Sequence, residues 1–238
     1  MDKFFLADMI TDRLEKEIGM TAKPFPAEIK TLKKALPSGE LCFETALYQA
    51  EKLKKIVICR QRYGEDGAGT LVMLAAEDDY DLPFTLANIA YDFGVKGKIF
   101  TEFEPTLLVK DEESTKKYVD PLTHWCEEIA NIPSEPVTGF MDPGEFLKSQ
   151  EPPTKYMRFV SYDYNDQILE FAKKFFDIYL EMYRKAAPVT DDQRKRKMHS
   201  FKSEWNKHIL PDDPSGVMIT GTFGQETAEL FYDHFVYL

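Results

Sequence analysis

Cysteine is scarce: Cys42, Cys59 and Cys126 are the three in 238 residues. They are odd in number and far apart, so no disulfide framework is expected and a reducing compartment is. No apolar run reaches about 18 residues, so no membrane-spanning helix is expected. Positive charge is also short, with 30 Lys and Arg against 41 Asp and Glu, a net charge of −11. Such a chain repels nucleic acid and anionic membrane, so neither is an expected partner. The segment MDKFFLADMITDRLEKE is too acidic for a secretory signal. The expected location is the cytoplasm, or a plastid for a chain cut from a longer precursor. Nucleotide signatures are missing as well: GEDGAG at 64–69 is not G-x-G-x-x-G, and there is no P-loop, C-x-x-C, H-E-x-x-H or G-x-S-x-G.

What is present is a hydrophobic fraction of 43%, enough for a sizeable core. The length allows one large domain or two small ones. Residues 133–153 carry five prolines and could be a linker. Apolar patterns on both sides look incomplete alone, so this stretch reads as a surface connection within one domain, 1–238.

Periodicity predicts a helix over 2–18 stopped by Gly19, then a loop-like, proline-bearing stretch over 20–40. Strands follow at 41–50, 54–62 and 70–76, with 64–69 as a hairpin turn, and at 85–93 and 98–104 joined across 94–97. Short connections argue for antiparallel pairing. Beyond residue 112 the pattern is mostly helical: 112–130, a strand at 156–162, then 166–187, 190–208 and 223–236. In 166–187, Ile168, Phe171, Ala172, Phe175, Tyr179, Met182 and Tyr183 recur at helical spacing. Strands first and helices after predict an α+β domain with helices packed over a sheet.

Local clusters offer little chemistry of their own. His124, Cys126, Glu127 and Glu128 share one helix at spacings that diverge, so they read as surface residues and no metal site is expected. Two basic runs, Lys52, Lys54, Lys55 and Arg194–Lys197, read as solvated faces, or as a local patch that docks an acidic partner.

The order of several short motifs says more. Tyr80-Asp81-Leu82-Pro83-Phe84 precedes Glu102-Phe103-Glu104-Pro105-Thr106-Leu107. Near the end come Pro211-Asp212-Asp213-Pro214-Ser215-Gly216, Phe223-Gly224-Gln225-Glu226 and Tyr232-Asp233-His234-Phe235. This succession resembles the ferredoxin-dependent bilin reductases from about residue 40 to the C-terminus. Each motif alone is weak; their order and spacing are more specific.

The resemblance implies a three-layer α/β/α sandwich around a central antiparallel sheet. It implies a linear tetrapyrrole (bilin) between sheet and C-terminal helices, reduced by electrons from ferredoxin and protons from the protein, with no bound flavin, nicotinamide or metal. The family's central-strand aspartate falls on Asn88, its pocket histidine on Leu71, its pocket glutamate near Cys59, and its C-terminal aspartate on Asp213, preceded by Asp212. The expected catalytic group is therefore Asp213, Asp212 and Asn88. The expected substrate contacts are Leu71, Cys59, Met73 and Asn88, although Met73 also reads as core. Ferredoxin docking is expected at Lys54, Lys55, Arg194 and Lys195. An amide cannot donate a proton as a carboxylic acid does, and Leu71 can only pack. Three alternatives follow: a tetrapyrrole-binding protein of the same fold with altered catalysis, a reductase of another open-chain tetrapyrrole such as a chlorophyll catabolite, and an unrelated α+β interaction domain.

Overall fold

The computed structural model describes residues 2–37, 39–139 and 142–238. Met1, and Ser38, Phe140 and Met141 within the two stretches read as loops, lie outside the described residues. The chain opens with α1 (Phe5–Ile18) and two edge strands, β1 (Thr21–Ala22) and β2 (Thr31–Leu36). Five long strands follow: β3 (Gly39–Ala50), β4 (Leu53–Tyr63), β5 (Gly67–Ala76), β6 (Phe84–Tyr91) and β7 (Lys98–Thr106). Then come α2 (Glu112–Ser114), α3 (Asp120–Ile129), β8 (Ser134–Pro136), α4 (Glu145–Gln150) and β9 (Tyr156–Ser161). The last elements are α5 (Asn165–Lys185), α6 (Asp192–Asp212), α7 (Pro214–Phe223) and α8 (Gln225–Phe235).

The strands form one sheet, ordered β1-β3-β4-β5-β6-β7-β9-β8, with β2 pairing the outer side of β3. Every pairing is antiparallel. Side chains alternate between faces. On β5, Val72, Leu74 and Ala76 join the core under α1, α3 and α5, while Leu71, Met73 and Ala75 turn toward α6–α8. Helices thus cover both faces, giving the three-layer α/β/α sandwich. No helix among the described residues is long and apolar enough to cross a membrane.

Several boundaries differ from the sequence reading. The 20–40 stretch holds β2, of whose six residues Leu32 alone is buried. Its exposed lysines hide the strand signal, and it is pairing with β3 that defines it. The hairpin after β4 is tighter than six residues, because Gly67 and Gly69 already pair with Tyr63 and Gln61. Helix 112–130 is broken by a π-turn over Thr115–Val119 just before Pro121, whose missing N–H forbids a continuous ladder. The 133–153 connection contains β8 and α4. Tyr164 holds the N-cap position of α5 without a side-chain bond. Residues 214–223, assigned to no element from the sequence, form α7, with Asp213 as N-cap and Pro214 at the first helical position.

Candidate active site

The sheet face toward α6–α8 carries an in-register row across six strands. Thr45, Cys59, Leu71, Asn88, Glu102 and Met157 lie opposite one another, one per strand. The neighbouring row runs Val57, Met73, Leu86, Glu104. Over these rows the helices stand off from the sheet and leave a cleft that opens to solvent. Leu71, Met73, Phe84, Leu86 and Met157 wall it from the sheet, and Trp205, Ile209, Met218 and Phe231 from the helices.

Into this apolar cleft project a few polar groups. Asn88 is 8% exposed, and its Oδ1 has no hydrogen-bond partner. The Nε1 of Trp205 is likewise unpartnered. Buried amide and indole groups without partners are uncommon in folded proteins, and both line the cleft, as a site for a polar ligand edge would require.

Asp213 enters from the helix side. Its Oδ1 accepts the Ser215 backbone N–H at 2.8 Å as N-cap of α7. Its Oδ2 accepts the Tyr232 hydroxyl at 2.5 Å. Tyr232 reaches it because position 216 is glycine; a Cβ there would stand 2.8 Å from the Tyr232 oxygen. Burial pushes the Asp213 carboxyl above its ordinary value, against the opposing pull of Tyr232 and Ser215, and Glu104 adds to the rise. A shift in this direction favours the protonated form, the form a donor needs.

Glu102 and Glu104 form the floor opposite. Glu104 is tied down: its Oε2 pairs with Lys155 at 2.9 Å and its Oε1 accepts from the Thr106 hydroxyl at 3.1 Å. Burial works against the Lys155 charge, but Glu104 and Glu102 outweigh it and raise its pKa. For Glu102, burial first and the charge of Glu104 second push the carboxyl up to about 8.

The expected site residues fare unequally. Asn88, Leu71, Met73 and Asp213 share the cleft. Cys59 is in the same row but does not line it; its buried thiol, pushed up to about 12 by burial, accepts from the Thr45 hydroxyl at 3.3 Å. Gln61, two residues on and facing the same way, reaches the cleft instead. Asp212 points elsewhere. Its Oδ2 accepts the Phe146 N–H at 2.9 Å, and its carbonyl the Gly144 N–H at 2.8 Å, so it seats the start of α4.

The docking cations are also corrected in part. Arg194 is 8% exposed and bound to Asp81, Asp111, Glu113 and Ser114. It is a buried strut, with no guanidinium face left for a partner. Lys55 donates to the carbonyls of Asp233 and Tyr237, both at 2.7 Å, and burial lowers its pKa to about 8. Lys54 pairs with Asp78 and Lys195 with Asp79, each at 2.7 Å near the surface. The basic runs thus meet the acidic loop 77–79. Sequence reasoning gave no role to Glu102, Lys155, Gln61, Tyr232 or Trp205. The available signal was alternation on β7, which puts Glu102 and Glu104 on one face.

Among the described residues no group of His, Cys, Asp and Glu is placed to hold a metal ion. Among curated proteins, the chain is 22% identical over 193 residues to a 15,16-dihydrobiliverdin:ferredoxin oxidoreductase of Nostoc punctiforme, covering 80% of this chain and 76% of that one. A protein of the same description from Gloeobacter violaceus is 22% identical over 196 residues, with the same shares. Among solved structures, tomato phytochromobilin synthase in complex with biliverdin superposes with a TM-score of 0.76 at 15% identity, over 97% of this chain and 83% of that one, which shows a common fold. The family model described as ferredoxin-dependent bilin reductase matches residues 7–237. With that match over nearly the whole chain, and with an apolar cleft lined by Glu102, Glu104 and Asp213 between the antiparallel sheet and the C-terminal helices, this chain belongs to the ferredoxin-dependent bilin reductases.

Proposed function

We propose that the cleft binds biliverdin or a dihydrobiliverdin and that Asp213 protonates it as ferredoxin supplies electrons. Each reduced ferredoxin is oxidised by one electron. Two electrons and two protons add two hydrogens to the conjugated pigment. The apolar walls exclude water from the rings, the Asn88 amide hydrogen-bonds a lactam or pyrrole edge, and Asp213 breaks its O–H bond to the reduced pigment. The observation that carries this reading is the placement of an unpartnered Asn88 amide and a raised Asp213 carboxyl on two walls of one apolar cleft. Ferredoxin docks in this reading at the exposed face of α6, through Lys195, Arg196 and Lys197, with Lys54 joined to α6 through Asp78 and Lys202.

Mixing the protein with biliverdin, and separately with 15,16-dihydrobiliverdin, tests binding by a change in pigment absorption. Adding ferredoxin, ferredoxin reductase and NADPH tests turnover. Asp213→Asn keeps the helix cap, because an amide oxygen still accepts from Ser215. This variant is expected to bind pigment normally and to reduce it roughly 10²–10⁴-fold more slowly. A wild-type rate would remove Asp213 as donor. The second reading, a carrier without catalysis, is favoured by Leu71 and Asn88, which bring no acid to the sheet wall. Pigment binding with no reduction by the wild-type protein would select it.

A further inference from the structure

Three carboxyls line the cleft, and two are already engaged. Glu104 is held by Lys155 and Thr106, and Asp213 spends both oxygens on Ser215 and Tyr232. Glu102 makes no hydrogen bond and no ion pair among the described residues. It lies directly opposite Asn88 across the β6–β7 ladder, on the same face. Directly paired residues in antiparallel strands hold their Cβ atoms about 4.5–5.5 Å apart. A longer side chain on β7 can therefore serve the space over Asn88 on β6.

We propose that Glu102 is a proton-donating catalytic residue of this site, standing in across the ladder for the acid that Asn88 cannot be. The inference rests on the bilin-reductase reading above and extends it to a second donor. The groups facing Glu102 are Glu104 on its own strand, Lys155 and Glu151 on the segment entering β9, and Asp213 at the start of α7. Burial, then Glu104, outweigh Lys155, so the carboxyl keeps its proton up to about pH 8. When ferredoxin gives one electron to the pigment, the O–H bond of Glu102 breaks. A new N–H or C–H bond forms on the pigment, and the carboxylate left behind is reprotonated from solvent through the cleft mouth. Asp213 completes the pair of protons from the helix side. The two donors thus address the pigment from opposite walls.

The test uses the full chain and biliverdin. Glu102→Gln preserves shape and removes the acid. It is expected to bind biliverdin with unchanged affinity while single-turnover reduction slows roughly 10²-fold or more. The one-electron-reduced pigment should then accumulate and be seen by electron paramagnetic resonance. The wild-type rate should fall as pH rises through about 8, and the variant should lose that limb. The double variant Glu102→Gln with Asn88→Asp returns an acid to the facing position and should recover most of the rate. A Glu102→Gln protein that reduces pigment at the wild-type rate with the wild-type pH profile overturns the inference and leaves the bilin reading standing. Loss of pigment binding in Glu102→Gln also overturns it, by making Glu102 a binding group. A wild-type protein that fails to bind biliverdin overturns the underlying reading instead.

Discussion

The two faces of the sheet are covered by helices to different ends. Under α1, α3 and α5, Phe103, Trp125 and Phe175 pack ring against ring at about 5 Å, and the Trp125 indole donates to the Phe171 carbonyl at 2.9 Å. Its few polar groups lie among packed apolar side chains: the Tyr91 hydroxyl donates to Asn165 at 2.8 Å, and the Tyr179 hydroxyl is buried without a partner among the described residues. Under α6, α7 and α8 rings also meet, Phe84 with Trp205 at 5.1 Å and Phe231 with Phe235 at 4.7 Å, but a cleft remains, and Asn88, Glu102 and Trp205 line it with unused hydrogen-bonding capacity. One sheet carries both because its alternation separates the demands: odd positions on β6 close a core, even positions face a ligand. A chain can concentrate its costs on one face when the other is packed without gaps.

That contrast is open to direct attack. The largest effect is expected for Phe175→Ala, which empties a fully buried ring site and should cost about 3–5 kcal/mol in urea unfolding. Leu71→Ala, on the cleft face, should cost only about 1 kcal/mol, because its side chain borders empty space. Equal losses would mean the cleft collapses in solution.

Next comes the seam between the faces. Arg194 reaches from α6 to Asp81, a carboxylate 4% exposed, and on to α2. Arg194→Met should cost about 3 kcal/mol by stranding that carboxylate. Burial raises the Asp81 pKa, yet the Tyr118 hydroxyl, Lys117 and Arg194 together bring it below its ordinary value. Its contribution is therefore complete above about pH 4 and lost as pH falls through the lower folded value. In the variant, stability measured from pH 7 down to 3 should show a shallower acid slope.

A smaller effect of opposite sign is expected at Glu102. Its folded pKa, about 8, lies above the unfolded carboxyl value. Its contribution is thus full below about pH 4.3 and lost as pH rises through 8. Glu102→Gln should match wild type near pH 4 and be more stable by about 1–3 kcal/mol at pH 9, discounted for the open cleft. Destabilisation at pH 9 would place the carboxylate in a pairing not described above. The smallest effect belongs to Asp212→Ala, about 0.5–1 kcal/mol, with faster amide exchange confined to α4.

Local repetition made much of this fold legible. The stripe Ile168, Ala172, Phe175, Tyr179 specifies α5 without help from distant residues, and the short apolar runs Ile56–Cys59 and Leu71–Ala76 do the same for β4 and β5. β2 escaped because its evidence is a pairing with β3. α7 escaped because Val217-Met218-Ile219-Thr220 shows no helical stripe, although the Asp213-Pro214 start was present. In the site, the motif positions led to Asn88, Leu71 and Asp213. The motif misdirected at Asp212 and the basic run at Arg194, where neighbouring residues of one chemistry point opposite ways. Glu102 needed the β6–β7 register, which no single segment contains.

The two tryptophans, Trp125 and Trp205, fall one on each side of the sheet. Trp205 lines the cleft and meets Phe84 at a tilt, 5.1 Å between ring centres. A bilin absorbs in the near ultraviolet where indole emits, so a pigment in contact would extinguish Trp205 light almost completely and Trp125 light by distance. Replacing Trp125 with Phe leaves a chain whose remaining emission watches the cleft alone. The protein thereby carries its own optical gauge of occupancy, one that reads pigment entry and exit in real time without any added label.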